Sequence, residues 1–461
     1  MLKFYHLIFV LLIFSFFSDD YHTISYVAFI LLLYKFVNNI GKRLLLIESI
    51  SLYSCVIYLI IPILGYSEYT QSNYLANLWN LFMQVPEKEY YSFALPSILL
   101  FIFSLFIFDN TSKIKLNEIL QNAKNSLKSK KIIAFNLIIC GIISFYVRRF
   151  VPTALIYPLT ILFLSAFAGL LYIYFSPHIK SSVKHIILFF FGIWILINAI
   201  SQGMFTIIIY MGISIFGILM LGNKASFIRK VSLILILLIG TLILQYTKTN
   251  YRKLIRMDLI SDTQVSTFFK LYFDNLKHIE EAFSYNAFFP IYARVNQGYQ
   301  LARVMDYMPS NRPFDNGTRL GTSVLASFIP RIFWSDKPTS GGKANMKYYA
   351  NVFLDTTSMD VGPIGEGYGS FGKWGGIIYM FFFGSFLSLS FRYFISLCKK
   401  YPLLIFWQPL IFFEVIYCME NDTMQALNSL IKIGIMLFIL FRIFPNIIRS
   451  SHKIFKGSSS N

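Results

Sequence analysis

Charge is what this sequence has least of: only 14% of its 461 residues are Asp, Glu, Lys or Arg, where a soluble globular domain carries roughly 25%. A water-soluble chain of this length could bury a core, but this one lacks the polar residues to cover it. Cysteine is nearly as scarce. Cys55, Cys140, Cys398 and Cys418 all fall within or beside apolar runs with no CxxC pairing, which argues against a disulfide framework or a zinc site. Acidic residues number 22 against 41 basic ones, a net charge of +19. Nucleic-acid binding would need those cations on one soluble face, whereas here they flank apolar segments. There is no metal-ligand spacing, no Walker motif, no GxGxxG before a helix and no GxSxG.

What is abundant is apolar and aromatic: 56% hydrophobic residues, 49 of them Phe, and a mean hydropathy of +0.60. Residues 3–17 follow Lys3 as a signal peptide would, but no small-residue cleavage site comes after them and Asp19-Asp20 closes the run. They read as an uncleaved first helix. Further runs lie near 22–38, 43–64, 91–108, 131–147, 152–175, 184–200, 203–221, 229–247, 374–395, 402–418 and 427–445. The expected fold class is therefore an all-α integral membrane protein with about twelve transmembrane helices.

Basic residues near short loops stay in the cytoplasm, which sets the orientation. Alternate loops on one side collect Lys3, Lys35, Lys42, Arg43, Lys113, Lys115, Lys124, Lys128, Lys130 and Lys131, then Lys180, Lys184, Lys224, Arg229 and Lys230, and finally Arg392, Lys399, Lys400, Arg442, Arg449, Lys453 and Lys456. The opposite short loops hold only Lys88, Arg148 and Arg149. Both termini are then expected in the cytoplasm of a bacterial inner membrane. Residues 1–247 form the first nine helices, 248–373 a large, partly helical periplasmic loop, 374–447 three more helices and 448–461 a cytoplasmic tail.

That loop carries 15 Lys and Arg against 11 Asp and Glu. Its 262–285 stretch is amphipathic, and 290–308 sets Arg294, Gln297 and Leu301 on adjacent turns of a helix. Long loops of this kind are functional or disordered, and the density of Tyr, Phe and Trp speaks against disorder. Two strings stand out. Phe328-Ile-Pro-Arg-Ile-Phe-Trp-Ser-Asp-Lys-Pro338 brings Arg331, Asp336 and Lys337 beside Trp334. Its Arg offers a planar fork for phosphate or carboxylate, and the plainer reading is a salt-bridged turn. Val361-Gly-Pro-Ile-Gly-Glu-Gly-Tyr-Gly-Ser-Phe-Gly372 lets backbone amides approach a ligand and holds one carboxylate, Glu366. The plainer reading there is a hinge ahead of a helix.

Outside the loop, Arg148-Arg149 sits where positive charge is disfavoured, explained either by an anionic partner or by snorkelling to lipid phosphate. Glu414 and Lys432 lie at similar depth on the last two spans and are expected to pair. Glu48, near the inner end of its span, can reach the headgroups. Glu420-Asn421-Asp422 adds two carboxylates to a short outer turn that equally reads as a solvated cap, and His278 stands alone on the amphipathic stretch.

In order along the chain, Tyr292-Ala-Arg-Val-Asn-Gln-Gly-Tyr, Ile329-Pro-Arg-Ile-Phe-Trp-Ser-Asp-Lys-Pro and Gly365-Glu-Gly-Tyr-Gly-Ser-Phe-Gly-Lys-Trp-Gly resemble the Wzy-type oligosaccharide repeat-unit polymerases of O-antigen and capsule assembly. The motif region covers residues 285–376; the other helices match in hydropathy only. Gly369-Ser370 departs from the family, where a larger polar residue such as Asn would stand. The resemblance implies a metal-independent glycosyltransferase at the periplasmic face, moving a growing glycan from undecaprenyl diphosphate to the non-reducing end of a new repeat unit. It implies no cofactor, no nucleotide sugar and no nucleic acid. Its expected partners are the undecaprenyl-diphosphate-linked oligosaccharide, membrane lipid and a chain-length regulator. It assigns Arg294, Arg331 and Lys337 to the diphosphate, with Arg148 and Arg149 as additions. Glu366 is the expected general base with Asp336 second, and Trp334 and Tyr368 stack on sugar faces. Two rivals remain. An O-antigen ligase, acting on lipid A core, would carry a His-centred signature, and the loop offers only His278. A lipid-linked oligosaccharide flippase without chemistry would show internal repeats, and none is found.

Overall fold

A computed structural model describes residues 3–449 apart from 110–114, 203–206, 257–263, 278–279, 281–284, 330–332, 335 and 355–358. Arg331 and His278 lie outside the described residues. The rest is helix and connecting turn, with no strand among the described residues.

The first helices are α1 (Phe4–Phe17), α2 (Tyr21–Asn39), α3 (Leu46–Ser67) and α4 (Glu87–Ile107). Asp20 caps α2 by accepting the Thr23 N–H at 3.1 Å. Pro86 opens α4 ahead of Glu87 and Glu89, whose charges suit a helix N-terminus. Midway, α3 widens into a π turn over Val56–Ile60. The carbonyls of Tyr58 and Leu59 in that turn accept hydrogen bonds from the hydroxyls of Tyr90 and Tyr91 of α4, each at 2.8 Å. Next come α5 (Leu116–Ser126) and α6 (Lys131–Val147), which meet at 90°, and α7 (Thr153–Phe175), packed along α6. Then follow α8 (Ser181–Gln202), a second π turn over Ile207–Met211 leading into α9 (Gly212–Met220), and α10 (Phe227–Arg256).

The described residues between 264 and 350 include α11 (Gln264–Lys277), α12 (Tyr285–Val295), α13 (Gly298–Tyr307), α14 (Thr318–Phe328) and α15 (Gly342–Ala350). The helix expected over 290–308 is thus two, parted at Asn296-Gln297. The last long helices are α16 (Gly362–Lys400) and α17 (Thr423–Ile443). Gly372 breaks α16 at φ 67° and ψ −164°, a backbone region open to glycine. The Gly-rich string ahead of it is therefore a short buried helix, where a loop up to residue 373 was expected.

Among the described residues, seven helices are long and apolar enough to cross a membrane: α3, α4, α7, α8, α10, α16 and α17, or eight if the bent pair α5 and α6 counts as one. Twelve spans, as expected from hydropathy, are not shown. With 14 residues, α1 reaches about 21 Å against a hydrocarbon core of about 30 Å. The run in α2 is diluted by His22, Lys35, Asn38 and Asn39. Residues 402–418 are not a span: Pro402 and Pro409 break them into a 3₁₀ helix (Pro402–Trp407), one α turn (Gln408–Ile411) and further turns. This segment is core, with Leu403, Ile405, Phe406 and Trp407 fully buried. By contrast α8 and α10 turn Phe189, Phe190, Ile236 and Leu238 outward. An apolar exterior on that scale needs lipid around it, compatible with a multi-pass membrane protein.

One charged residue differs from expectation. Glu48 does not reach headgroups: it is 3% exposed and accepts from Asn39 at 2.6 Å and Arg43 at 3.2 Å, and Arg43 also binds Asp109 at 2.5 Å. Lys432 stands 5.1 Å over the Tyr157 ring, near enough to Glu414 to act on it electrostatically.

Candidate functional site

The polar residues of 285–366 converge on the turn that precedes α17. Tyr58, from the first π turn, donates to the Met419 carbonyl at 2.8 Å. Tyr210, from the second, donates to Glu420 Oε1 at 3.0 Å, meets the Tyr53 hydroxyl at 3.0 Å and stacks on Tyr417 at 4.5 Å. Both widened helices thus deliver a tyrosine to one turn, and π turns concentrate at functional sites. The Glu420 side chain is only 7% exposed, and Arg294 of α12 closes on it with Nη2 2.6 Å from Oε2 while remaining 47% exposed. One face of that guanidinium fork is fixed; the other is open to a ligand.

Two residues on, Asp422 caps α17 by accepting the Gln425 N–H at 2.5 Å, and its other oxygen accepts the Gly341 N–H at 2.6 Å. Glu366, 1% exposed, accepts the Thr423 N–H on Oε2 at 2.7 Å and the Asn345 amide on Oε1 at 3.1 Å. A carboxylate at a helix N-terminus is stabilised there by the helix dipole and the unbonded N–H groups. Asn345 also reaches Asp360 Oδ1 at 3.5 Å and accepts from Arg319 Nε at 3.1 Å. The line Arg319–Asn345–Glu366–Thr423 therefore joins α14, α15, α16 and α17. The start of α16 is tight because Gly362, at φ 70°, lies against this turn: a Cβ there would sit 2.8 Å from the Met419 carbonyl oxygen.

Asp360 accepts the Val361 N–H on Oδ1 at 2.8 Å, while its buried Oδ2 has no partner among the described residues. Burial, with the charges of Asp422 and Glu366, holds the Asp360 carboxyl well above the ordinary carboxylate range, and burial raises Asp422 as well. Asn421 Nδ2, Gln300 Oε1 and Arg303 Nε are likewise buried without a partner among the described residues.

Beside this seam, Arg312 and Arg319 both lie over the Tyr348 ring, 3.6 and 4.6 Å from its centre. Neither has a carboxylate in salt-bridge range among the described residues. The two guanidinium groups thus stack on one ring at the border of the acidic cluster, on which Arg319 acts electrostatically.

Of the expected site residues, Arg294 and Glu366 are brought into this seam. Lys337 is buried and donates to the Ile329 carbonyl at 2.8 Å, closing its own turn. Asp336 is exposed and Trp334 half-buried. The Tyr368 ring is enclosed between Phe93 at 4.8 Å and Phe314 at 5.7 Å. Arg148 and Arg149 stack on rings of their own α6–α7 hairpin, Arg148 4.4 Å from Phe145 and Arg149 5.9 Å from Tyr146. Sequence reasoning did not single out Arg312, Arg319, Asn345, Asp360 or Tyr210. Their signal was weak: single polar residues in segments without a motif.

The described residues define an all-helical fold with about seven helices long and apolar enough to cross a membrane and a buried acidic cluster bordered by arginines. The chain belongs to the DUF8712 family, described as a domain of unknown function, whose family model matches residues 42–393. No curated protein and no solved structure matches it.

Proposed function

We propose that this protein is a Wzy-type polymerase, transferring a growing glycan from undecaprenyl diphosphate to a hydroxyl of a new lipid-linked repeat unit at the outer face of the inner membrane. The observation that carries the reading is one continuous seam in which the half-open Arg294 lies two residues along the Glu420–Asp422 turn from a buried carboxylate cluster. Such chemistry needs cations for the leaving diphosphate and an acceptor for one proton.

In this reading the acceptor hydroxyl oxygen bonds to the anomeric carbon of the donor, the bond from that carbon to the diphosphate oxygen breaks, and undecaprenyl diphosphate leaves as the anion. Arg294, with Arg319 and Arg312, neutralises the charge that develops. The hydroxyl proton passes to the carboxylate cluster. Asp360, whose Oδ2 has no partner among the described residues, is better suited to receive it than Glu366, whose two oxygens already accept N–H donors; it acts in its ionised form, which the raised pKa makes the stronger base, and Glu366 is then a positioning residue.

A gel of envelope polysaccharide from a strain lacking the protein tests this. Collapse of the ladder to core plus a single repeat unit supports a polymerase. Loss of every capped species points to a ligase or a flippase, and an unchanged ladder overturns the reading.

A further inference from the structure

A second basic feature lies apart from this seam, where the end of α2, the start of α5, the 222–225 loop and the start of α10 enclose a cavity of about 740 Å³. Among the described residues, Lys42, Lys115, Lys224 and Lys230 line it against a single carboxylate, Glu118. That carboxylate is already committed, 2.8 Å from Lys115 Nζ, and among the described residues no other lysine of the four is ion-paired. Lys230 is 7% exposed, with Nζ held by the Ile40 carbonyl at 2.6 Å. An ammonium group kept that deep, with donors to spare, is a built anion contact rather than a solvated surface charge.

The cavity is also held in shape. The Gly222 N–H donates to the Gly41 carbonyl at 2.8 Å, pinning one loop to the other. At the mouth the surface turns apolar: Phe227 and Ile228 open α10 with exposed side chains, and Tyr34 of α2 lies 6.2 Å from the Phe227 ring. A basic hollow that opens onto the apolar flank of a membrane-length helix fits a ligand with an anionic head and apolar tails.

We propose that this cavity binds a phosphate-bearing anion, the headgroup of an anionic phospholipid whose acyl chains lie along α10 and α2. Phosphate presented by a soluble ester shares the chemistry but would leave the apolar mouth unused. The site is independent of the glycosyl-transfer reading and stands or falls without it.

The test uses the full chain, reconstituted in phosphatidylcholine nanodiscs or in an equal mixture of phosphatidylcholine and phosphatidylglycerol, with retained lipid counted by native mass spectrometry and thermal unfolding followed in parallel. Lys42 and Lys224 are both exposed, so Lys42→Gln with Lys224→Gln leaves the fold intact. The wild type should retain phosphatidylglycerol and unfold at a higher temperature in the mixture, and the double variant should lose that retention by roughly ten- to thirtyfold. Inorganic phosphate, against chloride at matched ionic strength, separates the sources: stabilisation by phosphate that the variant lacks, without phosphatidylglycerol retention, supports an anion site for a soluble ligand. The proposal is overturned if neither anion changes unfolding. It is equally overturned if Lys399→Gln with Lys400→Gln, at the end of α16 and outside the cavity, reduces retention as much as the cavity pair does.

Discussion

Glu366 of α16 accepts the backbone N–H of Thr423, the first residue of α17, at 2.7 Å. One buried carboxylate thereby sets the end of one membrane-length helix against the broken start of another. Glu366→Gln keeps the shape but removes the charge and turns an acceptor into a donor on one side. The expected result is a loss of about 2 kcal/mol, the scale of a charge-assisted hydrogen bond, read as a lowered melting temperature in detergent, with shortened glycan in vivo.

Asp360→Asn should behave oppositely on stability. Asn retains an oxygen for the Val361 N–H and relieves the repulsion from Asp422 and Glu366, so melting should be unchanged or raised while polymer is lost. Long polymer from this variant would remove Asp360 from the proton transfer.

The pH dependence of stability follows from the same group. Asp360 and Asp422 titrate above their ordinary range in the folded chain, so the folded protein holds protons that the unfolded chain releases. Their contribution is complete below an ordinary aspartate value of about 4 and is lost as pH rises toward the raised values. Melting temperature should decline as pH rises above that ordinary value, and Asp360→Asn should flatten the slope. A wild-type curve rising there would contradict the burial of both groups.

Arg294→Ala leaves Glu420 buried without its cation. Because Arg294 is half-exposed the loss should stay near 1 kcal/mol, below the cost of breaking a fully buried pair. Adding Glu420→Gln should restore melting but not glycan, since the open edge of the guanidinium is still missing. Recovery of long glycan in the double variant would show that Arg294 is needed only for packing.

Tyr348→Phe keeps the face on which Arg312 and Arg319 lie and should leave the ladder unchanged, whereas Tyr348→Leu removes two cation–π contacts of roughly 0.5–1 kcal/mol each. Glycan length should fall with the Leu variant alone.

Hydropathy was enough to show an all-helical chain with several membrane-length apolar helices, because each apolar run is a local property. The number of spans was less legible. Residues 402–418 are as apolar as a span, and only their burial against the rest of the chain, with Pro402 and Pro409 breaking the helix, marks them as core. Arg294 and Glu366 could be picked out because they stand in distinctive strings. Asp360 and Arg319 could not: their chemistry arises from Asn345, which links segments far apart in the chain. Arg148 and Arg149 show the reverse case, conspicuous by charge and position yet held by their own hairpin's rings.

The π turn over Val56–Ile60 carries one more implication, about rotational phase. An α-helix advances about 100° per residue, so the extra residue in that turn rotates everything after it in α3 relative to a regular helix. Tyr58 points to Met419 while the carbonyls beside it remain open to Tyr90 and Tyr91. Removing any single residue between 56 and 60 would restore regular helix and swing one side of α3 about a quarter-turn out of step with the other. The sequence of this stretch is therefore constrained in length more tightly than in composition, and an exchange of one aliphatic side chain for another is tolerable where a deletion is not.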